Sequence, residues 1–297
     1  MSFTEMPLYH YIAMAIGWPS KLLYILMIIS VVKHRQKNLL LRSSFFNTVL
    51  AEVNSRMYPL FYVEFLMRTR KFGYLQMFEK QTNSFLVEAV FFGHNSLRYV
   101  VVLGFLPVAF NRFSAIHNPM TYGKLWTLPF TLLLVSCCWV GGLAIAAPIY
   151  LYPGTNFSYL PNRYGRLTLA AGDDVLNYDS ISAICTVSSV FGICSVVYII
   201  SFASYRRAFS KTEPFHSSQK LNDNFLLLLS SLLTFTTLSL DVCINIIQTI
   251  AVAVNNGPII NLTFDLWFVT TELMCISQPW CLLCTNRTVR RYLLRCV

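Results

Sequence analysis

The chain has 297 residues, of which 55% are hydrophobic and only 12% are charged. Charged residues make up about a quarter of soluble domains, so this composition excludes a soluble enzyme and a disordered polypeptide. The formal net charge is +10, but the basic residues stand in short clusters between apolar blocks. That placement is typical of membrane proteins and does not indicate nucleic-acid binding.

Seven apolar blocks follow one another along the chain. A helix needs about 20 apolar residues to cross the hydrocarbon core of a bilayer. The blocks predict spans at residues 11–32, 45–67, 84–110, 126–149, 181–204, 225–253 and 262–284. The second block is the weakest, because four polar or charged residues interrupt it. We therefore predict an all-α membrane protein, a single domain over residues 1–297 built as a seven-helix bundle.

The distribution of Lys and Arg between the spans predicts the orientation. With the N-terminus outside, fourteen of these residues fall in cytoplasmic connections and six in exterior ones. The first ten residues contain none and no basic leader, so we expect no cleavable signal peptide. Two glycosylation sequons, at Asn156 and Asn261, fall outside under this count, and Asn156 is the one we expect to be modified. The prediction is an exterior N-terminus and a cytoplasmic C-terminus.

Polar residues inside three spans follow helical spacing. A charge at mid-bilayer costs about 2.5–3.5 kcal/mol on insertion scales, so such residues should face the bundle interior. The stripes are Glu88, His94, Asn95 and Arg98 on the third span; Thr234, Thr237, Asp241, Asn245 and Gln248 on the sixth; and Asp265 and Glu272 on the seventh. They predict a cavity open to the outside. The candidate ligand-binding residues are His94, Asn95, Arg98, Asp241 and Glu272.

An alternative is that these residues only hold the helices together. Arg98 could pair with Glu88, Asp241 or Glu272 as an interhelical contact. Lys21, in the outer third of the first span, is expected to extend its ammonium group to the membrane interface.

The nine cysteines all lie at or beyond Cys137, in apolar blocks or in the final tail. This placement predicts neither a disulfide nor a metal site, since membrane cysteine commonly behaves as a small hydrophobic residue. Cys284 and Cys296 lie beside four arginines of the C-terminal tail. We predict that one of them is palmitoylated, and that the basic run holds a short amphipathic helix on membrane lipid.

The sequence offers little for catalysis. Only His94 among the five histidines lies within a predicted span, so no cluster of metal ligands is predicted, and we expect neither an enzyme nor a cofactor. A small seven-span transporter is the serious alternative, although the prolines at 107, 129, 148 and 279 show no matched placement of the kind that transporter repeats produce. A membrane scaffold that assists trafficking is a third class.

Several short segments resemble the rhodopsin-like receptors. Asn111-Arg-Phe-Ser-Ala-Ile-His-Asn-Pro-Met-Thr-Tyr122 resembles the Asp-Arg-Tyr segment after the third helix, and Trp139 and Pro148 resemble the fourth-helix Trp and Pro. The segment from Gln278-Pro to Leu294 resembles the Asn-Pro-x-x-Tyr region and its amphipathic helix. The chain departs from that pattern at Val87, where the third-helix Cys would stand. This combination is most similar to nematode serpentine chemoreceptors of the class gamma group or a close relative.

The resemblance implies a G-protein-coupled chemosensory receptor. It implies a small extracellular ligand and a heterotrimeric G protein as partners, with coupling through Asn111, Arg112 and Phe113. By the same resemblance, His94 and Glu272 match positions that line the ligand pocket. The implied location is the plasma membrane of a sensory neuron, with multiple membrane passes.

Overall fold

The computed structural model describes residues 8–35, 58, 61–62, 65, 85–151, 158–161, 167–170, 172–211, 218–285 and 290. Within these residues six helices are long and apolar enough to cross a membrane. The predicted class, an all-α membrane protein of several spans, is confirmed. The predicted second span lies outside the described residues, except for helical residues at 58, 61, 62 and 65. The predicted C-terminal amphipathic helix also lies outside them, except for Arg290.

The long described helices follow the predicted blocks with shifted ends, and α4 and the two strands lie in connections between them. They are α1 (Leu8–Arg35), α2 (Phe85–Leu103), α3 (Phe105–His117), α4 (Pro119–Leu125), α5 (Leu128–Ala146), α6 (Pro148–Leu151), β1 (Ser158–Pro161), β2 (Leu167–Ala170), α7 (Asp173–Lys211), α8 (Ser218–Ala253) and α9 (Gly257–Thr285). The third predicted span therefore corresponds to α2 and α3 together, and the fourth to α5 and α6.

Prolines divide two of the spans. Pro107 has no amide hydrogen, so the carbonyl of Leu103 receives no helical hydrogen bond from it, and the chain separates into α2 and α3 at Gly104. Pro148 is the first residue of α6, a position where its missing amide costs nothing. Pro19 and Pro279, by contrast, lie inside the continuous helices α1 and α9.

The long connection before the fifth span is more ordered than the sequence indicates. Strands β1 and β2 pair antiparallel, with Ser158 opposite Ala170 and Pro161 opposite Leu167. Helix α7 begins at Asp173, eight residues before the predicted start of the span at 181. The additional helical turns bring Asp179 into the bundle.

The turn between α8 and α9 has a clear local cause. Asn255 adopts a left-handed conformation, with φ of 55°, which Asn tolerates better than most residues. The amide of Asn256 donates to the carbonyl of Ala251, and the amide of Asn255 donates to that of Val252. These two hydrogen bonds are those of a Schellman motif, which ends α8 and lets α9 return beside it.

The core of the bundle is apolar and is formed by α1, α2, α3, α7, α8 and α9. Tyr24 on α1 is fully buried and donates a hydrogen bond to the carbonyl of Cys275 on α9. Lys21 is only 2% exposed, and its Nζ lies 4.7 Å from the centre of the Trp18 ring. The expectation that Lys21 extends to the interface is therefore wrong, because its side chain is buried and packs over Trp18 of the same helix.

Helices α2 and α5 approach very closely at Gly142. A Cβ atom at Gly142 would lie 2.6 Å from Cγ2 of Val100 and 2.9 Å from the carbonyl oxygen of Ser96. Only glycine fits at such a contact, which is how small residues bring membrane helices together. This contact fixes how α5 lies against the helix that carries Arg98.

Candidate functional site

Arg98 is the centre of a buried polar cluster that joins four helices. It lies on α2 and is 4% exposed. Its Nη2 donates a hydrogen bond to Oδ1 of Asn245 on α8, and its Nη1 lies 3.6 Å from Oδ2 of Asp179 on α7. The guanidinium also stands 5.5 Å from the centre of the Trp267 ring on α9. A buried charge is costly unless it is paired, so this one side chain links α2 to α7, α8 and α9.

Asp179 is the partner that sequence reasoning missed. The predicted fifth span began at residue 181, which left Asp179 in a connection, whereas the structure buries it in α7. The Tyr99 hydroxyl lies 3.4 Å from Oδ1 of Asp179 and 2.7 Å from Oγ of Ser182. Glu88, one of the three partners considered for Arg98, is exposed. The acidic residues just before the apolar run of the fifth span were the signal that could have revealed Asp179.

The polar stripe predicted on the sixth span faces the interior of the bundle. Thr237, Asp241, Asn245 and Gln248 on α8 are all buried, and Asp241 is fully so. The side-chain amide of Asn245 donates to the backbone carbonyl of Asp241 at 2.7 Å, one turn earlier. Among the described residues neither carboxylate oxygen of Asp241 has a hydrogen-bond partner. Asn245 therefore connects Arg98 to the turn that carries a buried carboxyl group.

The candidate residues on α2 and α9 divide between two places. His94 is half-buried, and its ring lies 4.5 Å from that of Trp267, which itself faces Arg98. Glu272 is 2% exposed and lies at the contact between α9 and α1, where a Cβ on Gly17 would be 3.6 Å from its Oε1. The structure thus brings His94 to the Arg98 cluster through Trp267, and it places Glu272 against α1.

The remaining candidate, Asn95, is 1% exposed, and its Nδ2 has no hydrogen-bond partner among the described residues. Apart from Arg112, five charged side chains are buried among the described residues. Two are basic, Lys21 and Arg98, and three are acidic, Asp179, Asp241 and Glu272. Buried charge is unfavourable in a membrane unless it is paired, so these five side chains are expected to face one another inside the bundle.

A second arrangement lies at the opposite end of the third span, around Asn111. Nδ2 of Asn111 and the Tyr122 hydroxyl are hydrogen-bonded at 3.0 Å, which holds α4 against α3. Trp126 Nε1 donates to Oγ of Ser114 at 2.6 Å and makes a second connection between the same two segments. Burial raises the pKa of Tyr122 to about 12, so its hydroxyl stays protonated at neutral pH.

Arg112 follows Asn111 in the chain and is 8% exposed. Its Nη1 has no hydrogen-bond partner in the part of the chain that the structure describes. The ring of Phe113 lies 4.3 Å from that of His117, one turn further along α3. The Arg112 guanidinium therefore lies in the second half of α3, which ends at His117, and keeps a free donor at Nη1 among the described residues.

Several predicted modification sites lie outside the described residues. Asn156 and Cys296 are among them, so nothing is added to those predictions. Cys284 is an exposed free thiol at the end of α9. No group of three or more His, Cys, Asp or Glu side chains that could hold a metal ion occurs within the described ranges.

Residues 12–297 match the family described as "Serpentine type 7TM GPCR chemoreceptor Srv". The chain is also similar to Serpentine receptor class V-1 of Caenorhabditis elegans. The two are 26% identical over 205 residues, which are 67% of this chain and 62% of the relative. The chain thus spans less than two thirds of the length of that relative. The expected likeness to nematode serpentine chemoreceptors is confirmed, and the matching class is V.

Proposed function

The chain belongs to the Srv family of serpentine seven-transmembrane chemoreceptors, and from this membership we propose that it is a G-protein-coupled chemosensory receptor of the plasma membrane. It is a multi-pass membrane protein of a receptor family. In our proposal the N-terminus is outside, and a small extracellular ligand acts at the Arg98 cluster. A heterotrimeric G protein then binds at Asn111, Arg112 and Phe113. A sensory neuron is the proposed site of expression.

One observation carries the ligand part of the proposal: Arg98 contacts side chains of α7, α8 and α9 at once. A ligand that competes for any of these contacts changes the relative energy of two helix arrangements, which is the physical requirement for a ligand-driven shift. In our proposal His94, whose ring contacts Trp267, and Asn95 and Asp241, which are buried on α2 and α8, supply further polar contacts to the ligand. Glu272 acts from the neighbouring contact with α1.

The coupling part of the proposal rests on the contacts around Arg112, where hydrogen bonds hold α4 against α3. The rhodopsin-like pattern has a carboxylate beside its arginine, whereas Asn111 is neutral and bonds to Tyr122 instead. Arg112 is thus not restrained by a carboxylate next to it in the sequence. Its planar guanidinium can donate several hydrogen bonds to a docked partner.

The test is a calcium or cAMP assay in cells that express the receptor, screened with small odorants in the presence and absence of a G-protein inhibitor. We expect ligand-evoked signals that the inhibitor abolishes. His94→Ala, Asp241→Asn and Glu272→Gln should each raise the half-maximal ligand concentration at normal surface expression. Leu240→Ala, an exposed neighbour on α8, is the matched control.

Two outcomes would contradict this proposal. If all three variants fail to reach the surface while the control does, these residues hold the bundle together and do not recognise a ligand. If purified protein in liposomes moves the active compound across the membrane and no G protein responds, the chain is a transporter.

Arg112→Lys tests the coupling site separately. Lysine keeps the positive charge but loses the planar set of donors, so we expect normal surface expression, normal ligand binding and at least a ten-fold weaker G-protein response. Arg206→Lys, an exposed basic residue at the same end of the bundle, is the control. Wild-type signalling from Arg112→Lys would leave this arginine as a determinant of topology only.

A further inference from the structure

A second cavity lies on the side of the bundle, away from the Arg98 cluster. Its volume is about 850 Å³, within the usual range for small-molecule pockets. It is lined by residues of α2 and α5 and by the four described residues of the second predicted span. Among the described residues six aromatic rings line it, those of Tyr58, Phe61, Tyr62, Phe65, Phe92 and Trp139. We call it the lateral cavity.

The lateral cavity and the Arg98 cluster use different faces of α2. Successive residues of an α-helix are about 100° apart, so Ser96 and Arg98 are separated by about 160° around the axis. Ser96 lines the cavity, together with Gly93, whereas Arg98 points to α7, α8 and α9. A molecule in the lateral cavity therefore does not occupy the ligand site proposed above.

The rim of the cavity is apolar and exposed on the outside of the bundle. Tyr58 is 56% exposed, Phe65 48% and Leu143 40%. Tyr58 and Trp139 meet edge to face, with ring centres 5.8 Å apart, and so connect the two sides of the opening. In a chain that spans a membrane, such a rim faces hydrocarbon. A molecule that enters this cavity through such a rim would therefore come from the bilayer.

One polar side chain in the wall of the cavity has a hydroxyl without a hydrogen-bond partner among the described residues. Ser96 is 4% exposed, and its Oγ is unpaired among the described residues. Other helical serines here, such as Ser195, Ser201 and Ser239, donate to the carbonyl four residues earlier. A buried hydroxyl without a partner is costly, so a bound molecule that hydrogen-bonds to Ser96 gains that energy back.

We propose that the lateral cavity binds an uncharged, ring-bearing small molecule that enters from the bilayer and hydrogen-bonds to Ser96. Aromatic rings favour edge and offset contacts with a flat guest. No charged side chain lines the cavity among the described residues. Because a charged guest would lose its hydration without compensation, the site selects neutral molecules. This proposal does not depend on G-protein coupling.

The test uses 4-(hydroxymethyl)benzophenone, a neutral aromatic alcohol that forms covalent bonds under ultraviolet light. The purified receptor is placed in phosphatidylcholine nanodiscs, and labelled peptides are identified by mass spectrometry. We expect saturable labelling of lining residues of the cavity, those of α2 and α5 and Tyr58, Phe61, Tyr62 and Phe65. Neutral 2-naphthalenemethanol should compete at least ten-fold better than charged 2-naphthoate.

Two pairs of variants locate the site. Leu143→Trp fills the opening and should reduce saturable labelling at least five-fold, whereas Val140→Trp, an exposed position on α5 outside the cavity, should not. Ser96→Ala should raise the apparent Kd about five-fold, the loss of one hydrogen bond, while Ser195→Ala leaves it unchanged. Thermal unfolding of each variant verifies that it is folded.

Three results would overturn the proposal. One is labelling that does not saturate or is spread over the whole membrane-facing surface. Another is equal labelling of the two tryptophan variants. The third is saturable labelling in detergent that phosphatidylcholine abolishes, because the occupant would then be a lipid chain.

Discussion

Asp179→Asn tests whether the Arg98 ion pair is a structural centre of the bundle. At the observed 3.6 Å between Nη1 and Oδ2, the Coulomb energy is about 4–5 kcal/mol for an effective dielectric constant of about 20. Removing one partner of a buried pair leaves the other charge uncompensated, at a cost of about 3–5 kcal/mol. The amide of Asn retains some hydrogen bonding to Tyr99, so we expect a loss of about 3 kcal/mol.

The assay is thermal unfolding of purified protein, followed with a thiol-reactive dye that reports exposure of buried cysteines such as Cys194 and Cys275. A loss of about 3 kcal/mol should lower Tm by about 6–10 °C. A double-mutant cycle of Arg98→Met and Asp179→Leu should give a coupling energy of about 2 kcal/mol or more. This isolates the pair from the other contacts of Arg98.

Glu88→Gln is the matched control, since Glu88 is an acidic residue on α2 itself but is exposed. Its substitution should change Tm by no more than about 1 °C. The reasoning is refuted if Glu88→Gln is as damaging as Asp179→Asn. It is also refuted if the coupling energy of the Arg98–Asp179 cycle is zero.

Three further predictions concern other parts of the chain. Gly142→Ala should lower the stability by about 1–3 kcal/mol through overpacking, whereas Gly192→Ala, with nothing within 4 Å of its Cβ position, should not lower it; thermal unfolding distinguishes them. Because its pKa is raised from 10 to about 12, Tyr122 should still be protonated at pH 11, and stability should fall as the pH rises from 10 to 12; ultraviolet titration against Tyr122→Phe measures this. Palmitoylation at Cys284 or Cys296 should give hydroxylamine-sensitive labelling, which the double Ser variant lacks.

The rough positions of the six described membrane-spanning segments were predictable, because long apolar blocks have few other solutions in a bilayer. The inward faces of Asp241 and Asn245 also followed from helical spacing. These are local properties of one segment each. Periodicity reports which residues share a face, and the structure agrees with it on α8.

The partners across the bundle were not predictable. Arg98 had several acidic candidates, and the sequence contains no information on which helices meet at that depth. The choice of Asp179 depends on α7 starting at Asp173, and helix ends in polar segments are poorly marked. The orientation of Lys21 had the same difficulty, since a long side chain can extend to the interface or pack against its own helix, as it does over Trp18.

The separation of α2 from α3 has a mechanical consequence. A continuous helix transmits a tilt from one end to the other like a rod, but the missing amide of Pro107 makes Gly104 a compliant joint. The two halves also rest on different neighbours, α2 on α5 and α3 on α7. A movement of α2 near Arg98 therefore reaches Arg112 only in part through the backbone. How far α3 moves with α2 depends on the stiffness of the joint at Gly104 and on the packing of α3 against α7.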